Sequence, residues 1–145
     1  MDIKNNKQIG EIGERIAIGE LAKFGIDVCL PMSDNLPFDF VVYYNNKLFK
    51  CQVKSTASKT ENDSFRFSLT SNNWNNKTVH SYDEFEVDVM ICCNLQDIYL
   101  IPFSEIKGKK DFIIRESLPK NGQIKGINFA KDFIISKDRI DQVFK

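Results

Sequence analysis

Apolar and polar residues follow each other along residues 38–54 in a pattern that predicts two β-strands joined by a tight turn. The first run, residues 38–44, is rich in aromatic and β-branched side chains, and the second, residues 48–54, alternates between apolar and polar positions. Asn45 and Asn46 between them tolerate positive φ well, which favours a two-residue type I′ turn. We therefore predict a β-hairpin whose register is set by this turn.

That register places three polar side chains at the open end of the hairpin. A two-residue turn pairs Tyr44 with Lys47, which brings Asp39 opposite the second strand's Gln52. Lys54 follows two residues later and points to the same face. Each of the three could singly be an ordinary surface residue, and a one-residue slip in register would separate them. A charge within an apolar run needs a partner or a cation, so Asp39 is the first candidate functional residue.

Apolar residues at near-helical spacing predict a first helix from about residue 6 to residue 24. Gly25 is expected to cap its C-terminal end, because glycine readily adopts the left-handed conformation that ends many helices. Gly10, Gly13 and Gly19 each reduce helix propensity, which indicates a close approach of this helix to the sheet or to a ligand.

Shorter apolar and polar runs along the chain predict the remaining strands, loops and helices. Further strands are expected over residues 27–31, 65–69, 87–93, 98–102 and 112–114. The third and fourth of these runs are almost continuously apolar, which is typical of strands buried on both faces. We also predict a polar loop over residues 70–78, a helical turn capped by Ser104, and a short helix within residues 129–145. The length is that of one domain, residues 1–145.

Composition narrows the classes of function. Lys plus Arg and Asp plus Glu both number 20, so any nucleic-acid binding must come from local patches and not from net charge. The four cysteines lie in apolar stretches without C-x-x-C spacing, which predicts reduced core residues and no zinc.

No apolar run has membrane-spanning length, so we expect a cytoplasmic protein without a membrane partner. A lone His80 and the lack of a Gly-rich phosphate loop disfavour imidazole catalysis and nucleotide binding.

Two polar segments are candidates for contact with DNA. The first candidate set is Asn72, Asn73, Trp74, Asn75, Asn76 and Lys77. The second set is Lys107, Lys109 and Lys110. A plain solvated surface is the more common interpretation of the first segment, and it is at least as good an interpretation of the second.

The order of these features resembles the PD-(D/E)XK nuclease superfamily. A helix with Gly13-Glu14 is followed by a short strand, then by Asp39 on one strand and Gln52-Val53-Lys54 on the next. Within the superfamily, the chain is similar to a small branch that contains group I intron homing endonucleases. The resemblance implies the α/β class (an α+β mixed sheet), with a restriction-endonuclease-like αβββαβ core in which a central mixed β-sheet is flanked by helices.

The resemblance also implies a catalytic set of Glu14, Asp39, Gln52 and Lys54. Asp39, the amide oxygen of Gln52 and the backbone carbonyl of Val53 would bind Mg²⁺, with Mn²⁺ able to substitute, and Glu14 would hold a second ion or a water. Lys54 would orient the attacking water or neutralise charge on the phosphate. Most of the superfamily has Asp or Glu at the position of Gln52, whereas the homing branch has Gln.

The function that the resemblance implies is Mg²⁺-dependent hydrolysis of phosphodiester bonds in double-stranded DNA, with sequence-specific cleavage of the homing type. Cutting both strands requires two active sites, so a symmetric homo-oligomer is expected. Two alternatives stay open at this point, a resolvase that acts on branched DNA and a catalytically silent DNA-binding relative in which Gln52 marks the loss of metal. The target sequence and the oligomer number do not follow from the sequence.

Overall fold

The structure, a computed structural model, describes residues 5–73 and 76–145. Its first helix, α1, spans Asn6–Lys23. The side chain of Asn5 caps this helix by accepting a hydrogen bond from the backbone N–H of Gln8 at 3.0 Å. At the other end, Gly25 has a φ of +72°, which lets its own N–H and that of Ile26 reach carbonyls of the last turn. The predicted helix and its glycine cap are confirmed.

The described strands, in chain order, are β1 (Val28–Cys29), β2 (Phe40–Tyr44), β3 (Lys47–Ser55), β4 (Ser64–Ser68), β5 (Thr70–Asn73), β6 (Thr78–Ser81), β7 (Val89–Cys93), β8 (Ile98–Pro102) and β9 (Asp111–Arg115). Five of them form one sheet in the order β1-β2-β3-β7-β8. In this sheet β3 and β7 run parallel, and the other neighbours are antiparallel. The predicted fold class, a central mixed sheet flanked by helices, is confirmed.

The β2–β3 hairpin has the predicted register. Tyr44 pairs with Lys47, and the pairing continues to Phe40 and Cys51. The two asparagines of the turn have φ of 50° and 61°, the left-handed values that a type I′ turn requires at both positions. Beyond the last pair, the backbone N–H of Asp39 donates to the carbonyl of Cys51 at 2.8 Å. The ladder thus extends to the residue that carries the candidate carboxylate.

The sheet separates two hydrophobic clusters. On one side α1 and the C-terminal helix α4 (Lys137–Val143) cover it, through residues such as Leu21 and Ile140. On the other side lie the β4–β9 ribbon and two short helices, α2 (Phe103–Ile106) and α3 (Ala130–Phe133). Every residue of β7 is buried, and β8 is buried up to its last residue, as predicted for strands enclosed on both faces.

The connection from β3 to β7 differs from the predicted core. It contains β4, β5 and β6, where the αβββαβ order has a helix. β5 lies within residues 70–78, which we predicted to form a polar loop, and it pairs with β6, which begins at the last residue of that range. All four residues of β6 are exposed, so this hairpin is held by backbone pairing and lacks the apolar alternation that marks a strand in the sequence. Trp74 and Asn75 lie outside the described residues.

Three smaller predictions also need correction. Ser104 does not cap α2, because the helix begins at Phe103, whose burial together with Ile106 places the start of the turn one residue earlier. Gly10 and Gly19 have open space where a Cβ would lie, so of the three glycines only Gly13 marks a close approach. Cys29 is exposed and not part of the core, whereas the other three cysteines are buried, and all four are free.

No helix within residues 5–73 or 76–145 has the length and apolar character needed to cross a membrane.

Candidate active site

Two carboxylates, those of Glu14 and Asp39, line the same open cleft of about 400 Å³. The cleft lies beside α1 and the loop that leads into β2. Its other lining residues are Leu30, Pro31, Met32, Ser33, Asp34, Leu36 and Phe38. Glu14 is contributed by the first helix and Asp39 by the start of the hairpin, so two residues that are distant in sequence line one cleft.

The position of Glu14 depends on the preceding glycine. Gly13 is buried, and a Cβ on it would lie 1.8 Å from Oγ of Ser55 at the end of β3. Only a glycine lets the helix backbone approach the strand this closely. The Oγ of Ser55 is itself buried and has no hydrogen-bond partner in the described part of the chain. This contact fixes α1 against the sheet at the point where Glu14 reaches the cleft.

Asp39 is held by the backbone of the neighbouring strand. Its Oδ2 accepts a hydrogen bond from the N–H of Val53 at 2.7 Å. Burial raises the pKa of the Asp39 carboxyl, although the Val53 N–H, the charge of Lys54 and a hydrogen bond with Gln52 act in the opposite direction. The Asp39 carboxylate is therefore fixed in place, and its contacts with the protein do not fully offset the cost of burying its charge.

The carboxyl of Glu14 is also in an environment that disfavours its ionised form. Its carboxyl is half-buried, and burial raises its pKa, with the charge of Asp39 as the second cause. Two carboxylates in one cleft disfavour each other's ionised form unless a proton or a cation lies between them. The cleft therefore has the charge and the oxygen donors that a hard divalent cation requires.

Gln52 lies next to Asp39 with its amide turned toward the protein. Its Nε2 is 3.4 Å from the carbonyl oxygen of Val53, and the Gln52 side chain is one of the groups that lower the pKa of Asp39. Rotation of the amide would exchange its nitrogen and oxygen. The oxygen ligands predicted on Gln52 and Val53 are thus beside the Asp39 carboxylate. Among the described residues, no three His, Cys, Asp or Glu side chains are arranged to bind a metal, so a cation here would also need these amide and carbonyl oxygens.

Lys54 is directed toward the base of the β5–β6 hairpin. Its Nζ donates to the carbonyl of Thr70 at 3.0 Å and to the hydroxyl of Tyr82 at 3.2 Å. It also lies 5.0 Å from the centre of the Tyr82 ring. The charge of Lys54 is also one of the causes that lower the pKa of Asp39. Tyr82 was not among the predicted site residues, because it follows a polar segment and its residue type does not indicate a role in catalysis.

The predicted DNA-contact residues divide into two groups. Asn72, Asn76 and Lys77 are exposed on the β5–β6 hairpin, whereas the side chain of Asn73 is not described. Lys109 and Lys110 are exposed, as is Lys107, whose Nζ forms an ion pair with Glu84 at 2.8 Å. The hairpin is connected to the candidate site through Thr70, which makes it the better placed of the two segments.

Comparison with known proteins identifies the class. Residues 4–136 match the family model described as PD-(D/E)XK endonuclease, and the chain therefore belongs to this endonuclease family. Among solved structures, it is similar to the bacterial homing endonuclease I-Ssp6803I, with a TM-score of 0.65 and 20% sequence identity. The likeness covers 90% of this chain and 86% of that chain, and at this identity it shows the fold. No curated protein matches the chain in sequence.

Proposed function

We propose that the protein is a Mg²⁺-dependent endonuclease that hydrolyses phosphodiester bonds of double-stranded DNA, with the sequence-specific role of a homing enzyme. Membership of the PD-(D/E)XK endonuclease family supports the reaction class, and the structural likeness to a homing endonuclease supports the role. The observation that carries the proposal is the convergence of Glu14 and Asp39, both with raised pKa, on one cleft beside Gln52.

The donor set fits a hard cation. Two carboxylates, an amide oxygen and a backbone carbonyl are all oxygen donors, which Mg²⁺ prefers, and Mn²⁺ accepts the same ligands. Glu14, Asp39, Gln52 and Val53 would hold the ion. When bound, it supplies Lewis-acid polarisation of the phosphate and lowers the pKa of water. Divalent metals are general in this family.

The protein's own groups have separate roles in this proposal. The hydrogen bond from Val53 holds Asp39 in one orientation, so this carboxylate needs no rearrangement during the reaction. Glu14 lines the same cleft and would orient a water molecule there by accepting a hydrogen bond from it. Lys54 supplies a fixed positive charge, which stabilises the negative charge that develops on the phosphate oxygens.

Binding of the substrate would use the exposed segments. The β5–β6 hairpin, with Asn72, Asn76 and Lys77, would contact the DNA backbone and groove, and Lys109 and Lys110 would contact phosphates. A homo-oligomer would supply one active site to each strand. The free cysteines agree with action in the cytoplasm.

One observation favours a second candidate function, a silent DNA-binding relative. Lys54 already donates hydrogen bonds to Thr70 and Tyr82, and the amide of Gln52 lies 3.4 Å from the carbonyl oxygen of Val53. A site that had lost its metal would retain such internal contacts. Because the contacts of Lys54 are with neutral groups, they leave its charge available, and we therefore prefer the active enzyme.

The test is cleavage of a plasmid mixture and a four-way junction, with and without Mg²⁺. The wild-type protein is compared with Asp39→Asn and with Asp34→Asn, a matched carboxylate change in the same cleft. We expect Mg²⁺-dependent cutting by the wild type and by Asp34→Asn, and none by Asp39→Asn. Preference for the junction would identify a resolvase. DNA binding without cutting under all conditions, together with no rise in Tm on addition of Mg²⁺, would identify the silent relative and contradict the proposal.

A further inference from the structure

We propose that Tyr82 is a positioning residue for Lys54, and that the base of the β5–β6 hairpin holds the Lys54 ammonium where the reaction needs it. The inference rests on the proposed function, because it concerns the lysine assigned there to the chemistry. It adds a residue and an element outside the set Glu14, Asp39, Gln52 and Lys54.

Two hydrogen bonds define the position of the Lys54 ammonium. It donates to the Thr70 carbonyl at 3.0 Å and to the Tyr82 hydroxyl at 3.2 Å, and it lies 5.0 Å from the centre of the Tyr82 ring. A lysine side chain has four rotatable bonds and loses rotamer entropy when it is fixed. Two hydrogen bonds from a charged donor offset that loss.

Both partners belong to the two ends of one hairpin. Thr70 is the first residue of β5 and pairs with Ser81, the last residue of β6, and Tyr82 follows directly. The ammonium is therefore held between the chain that enters the hairpin and the chain that leaves it. A shift of either strand would move Lys54.

Tyr82 is itself fixed by its neighbours. The ring of His80 meets it edge-on, with 5.4 Å between the ring centres and an interplanar angle of 83°. Nε2 of His80 lies 2.9 Å from a carboxylate oxygen of Glu86, which holds the imidazole in turn. Tyr82 also packs against the hydrophobic cluster on this side of the sheet. The hydroxyl that receives the hydrogen bond from Lys54 thus has a defined position.

The groups that contact Lys54 are of a kind that orients its ammonium, and this distinguishes positioning of the charge from simple stabilisation of the fold. Within the described residues Lys54 forms no salt bridge, and the groups that hold it are a carbonyl, a hydroxyl and a ring. Neutral partners orient an ammonium without cancelling its charge. A carboxylate in the same place would compete with the phosphate for Lys54.

The test compares Tyr82→Phe, which keeps the ring, and Tyr82→Leu, which removes ring and hydroxyl, with the wild type. Tyr43→Phe is the matched control, because Tyr43 is exposed and its hydroxyl bonds only to the turn residue Asn46 in the described structure. We expect kcat for DNA cleavage to fall about 10-fold in Tyr82→Phe and further in Tyr82→Leu, with KM and DNA affinity unchanged. An unchanged or higher kcat in Tyr82→Phe would overturn the inference.

A second measurement needs no activity and no metal. The ring current of Tyr82 should displace the NMR resonances of the Lys54 side chain, and Tyr82→Leu should remove this displacement while Tyr82→Phe largely preserves it. Lys54 resonances that are the same in wild type and Tyr82→Leu would overturn the inference. A wild-type protein that cuts no DNA and shows no rise in Tm with Mg²⁺ would instead refute the proposed function, and the two failures are thereby distinguished. If Tyr82→Leu does not fold, Tyr82→Phe alone decides through kcat.

Discussion

The Asp39 carboxylate accepts a hydrogen bond from the backbone N–H of Val53 at 2.7 Å, across the open end of the β2–β3 hairpin. This bond ties the first candidate metal ligand to the strand that carries Gln52 and Lys54. The relative position of these groups is therefore a property of strand register, which the turn at Asn45 and Asn46 sets.

The first prediction concerns the stability effect of the Asp39 charge. Burial raises the folded-state pKa of Asp39, so the protonated Asp39 carboxyl favours the folded state. This contribution to stability is fully present below the ordinary carboxyl pKa, and it is lost as the pH rises through the raised value. Asp39→Asn keeps an oxygen for the Val53 N–H and removes the charge. In metal-free buffer we expect this variant to have a larger free energy of unfolding than the wild type at pH 7.

Urea unfolding at pH 7 and pH 3 checks this prediction. The difference between Asp39→Asn and the wild type should shrink at pH 3, where both side chains are neutral. A variant that is less stable than the wild type at pH 7 would show that the charged hydrogen bond to Val53 outweighs the cost of burial.

The second prediction concerns the contact between α1 and β3. Gly13→Ala places a methyl group 1.8 Å from Oγ of Ser55, so we expect a loss of about 1–3 kcal/mol in the free energy of unfolding. Gly10→Ala, in open space on the same helix, should instead gain up to about 1 kcal/mol. Denaturant unfolding measures both.

A rescue variant identifies the cause of this loss. Ser55→Gly removes both atoms that clash, so combining it with Gly13→Ala should restore part of the stability that Gly13→Ala alone loses. Equal stability of Gly13→Ala and Gly10→Ala would contradict the close approach.

The third prediction concerns the turn. Asn46 has a φ of 61°, which glycine adopts without strain, so Asn46→Gly should stabilise the protein by a few tenths to about 1 kcal/mol. Asn46→Val should destabilise it by about 1–2 kcal/mol, because a β-branched residue is strained in the left-handed region. Asn62, exposed and outside that region, provides the control Asn62→Val. Thermal unfolding that does not distinguish Asn46→Val from Asn62→Val would contradict this role of the turn.

The fourth prediction separates catalysis from DNA binding. Lys54→Ala should lower the cleavage rate at least about 100-fold while DNA affinity stays near that of the wild type, because Lys54 acts on charge that develops during the reaction. Lys47→Ala, an exposed change on the same strand, should cut normally. Single-turnover cleavage and a fluorescence binding titration give the two quantities. An equal loss of binding and cleavage would assign Lys54 to ground-state DNA contact.

Local patterns were sufficient to predict the elements that place the carboxylates. The Asn45–Asn46 turn determines the hairpin register through backbone conformation alone, and Gly25 ends α1 for the same kind of local reason. The resemblance to the PD-(D/E)XK superfamily then placed Glu14 in the same site as Asp39, and both do line one cleft. The catalytic and metal-binding roles of these residues stay predictions.

Local sequence patterns did not predict the long-range strand pairing or the polar strands. The β5–β6 hairpin lacks an apolar face, so its pairing leaves no periodic signal in the sequence. The contacts of Lys54 depend on where that hairpin lies, and neither Thr70 nor Tyr82 is distinctive by type. The same limit applies to the start of α2, where burial of Phe103 overrides the capping preference of Ser104.

A divalent cation bound between Glu14 and Asp39 is tested most directly by thermal unfolding at pH 7.5 with increasing Mg²⁺ or Mn²⁺. A cation that binds the folded state stabilises it, by about 2.7 kcal/mol at 100 times its Kd. We predict a saturable rise in Tm for the wild type and for Asp34→Asn, and no rise for Asp39→Asn or Glu14→Gln. The rise should fade at acidic pH, where protons occupy these carboxylates, whose pKa is raised. A wild type without the rise, or an equal rise in Asp39→Asn, would contradict the metal site.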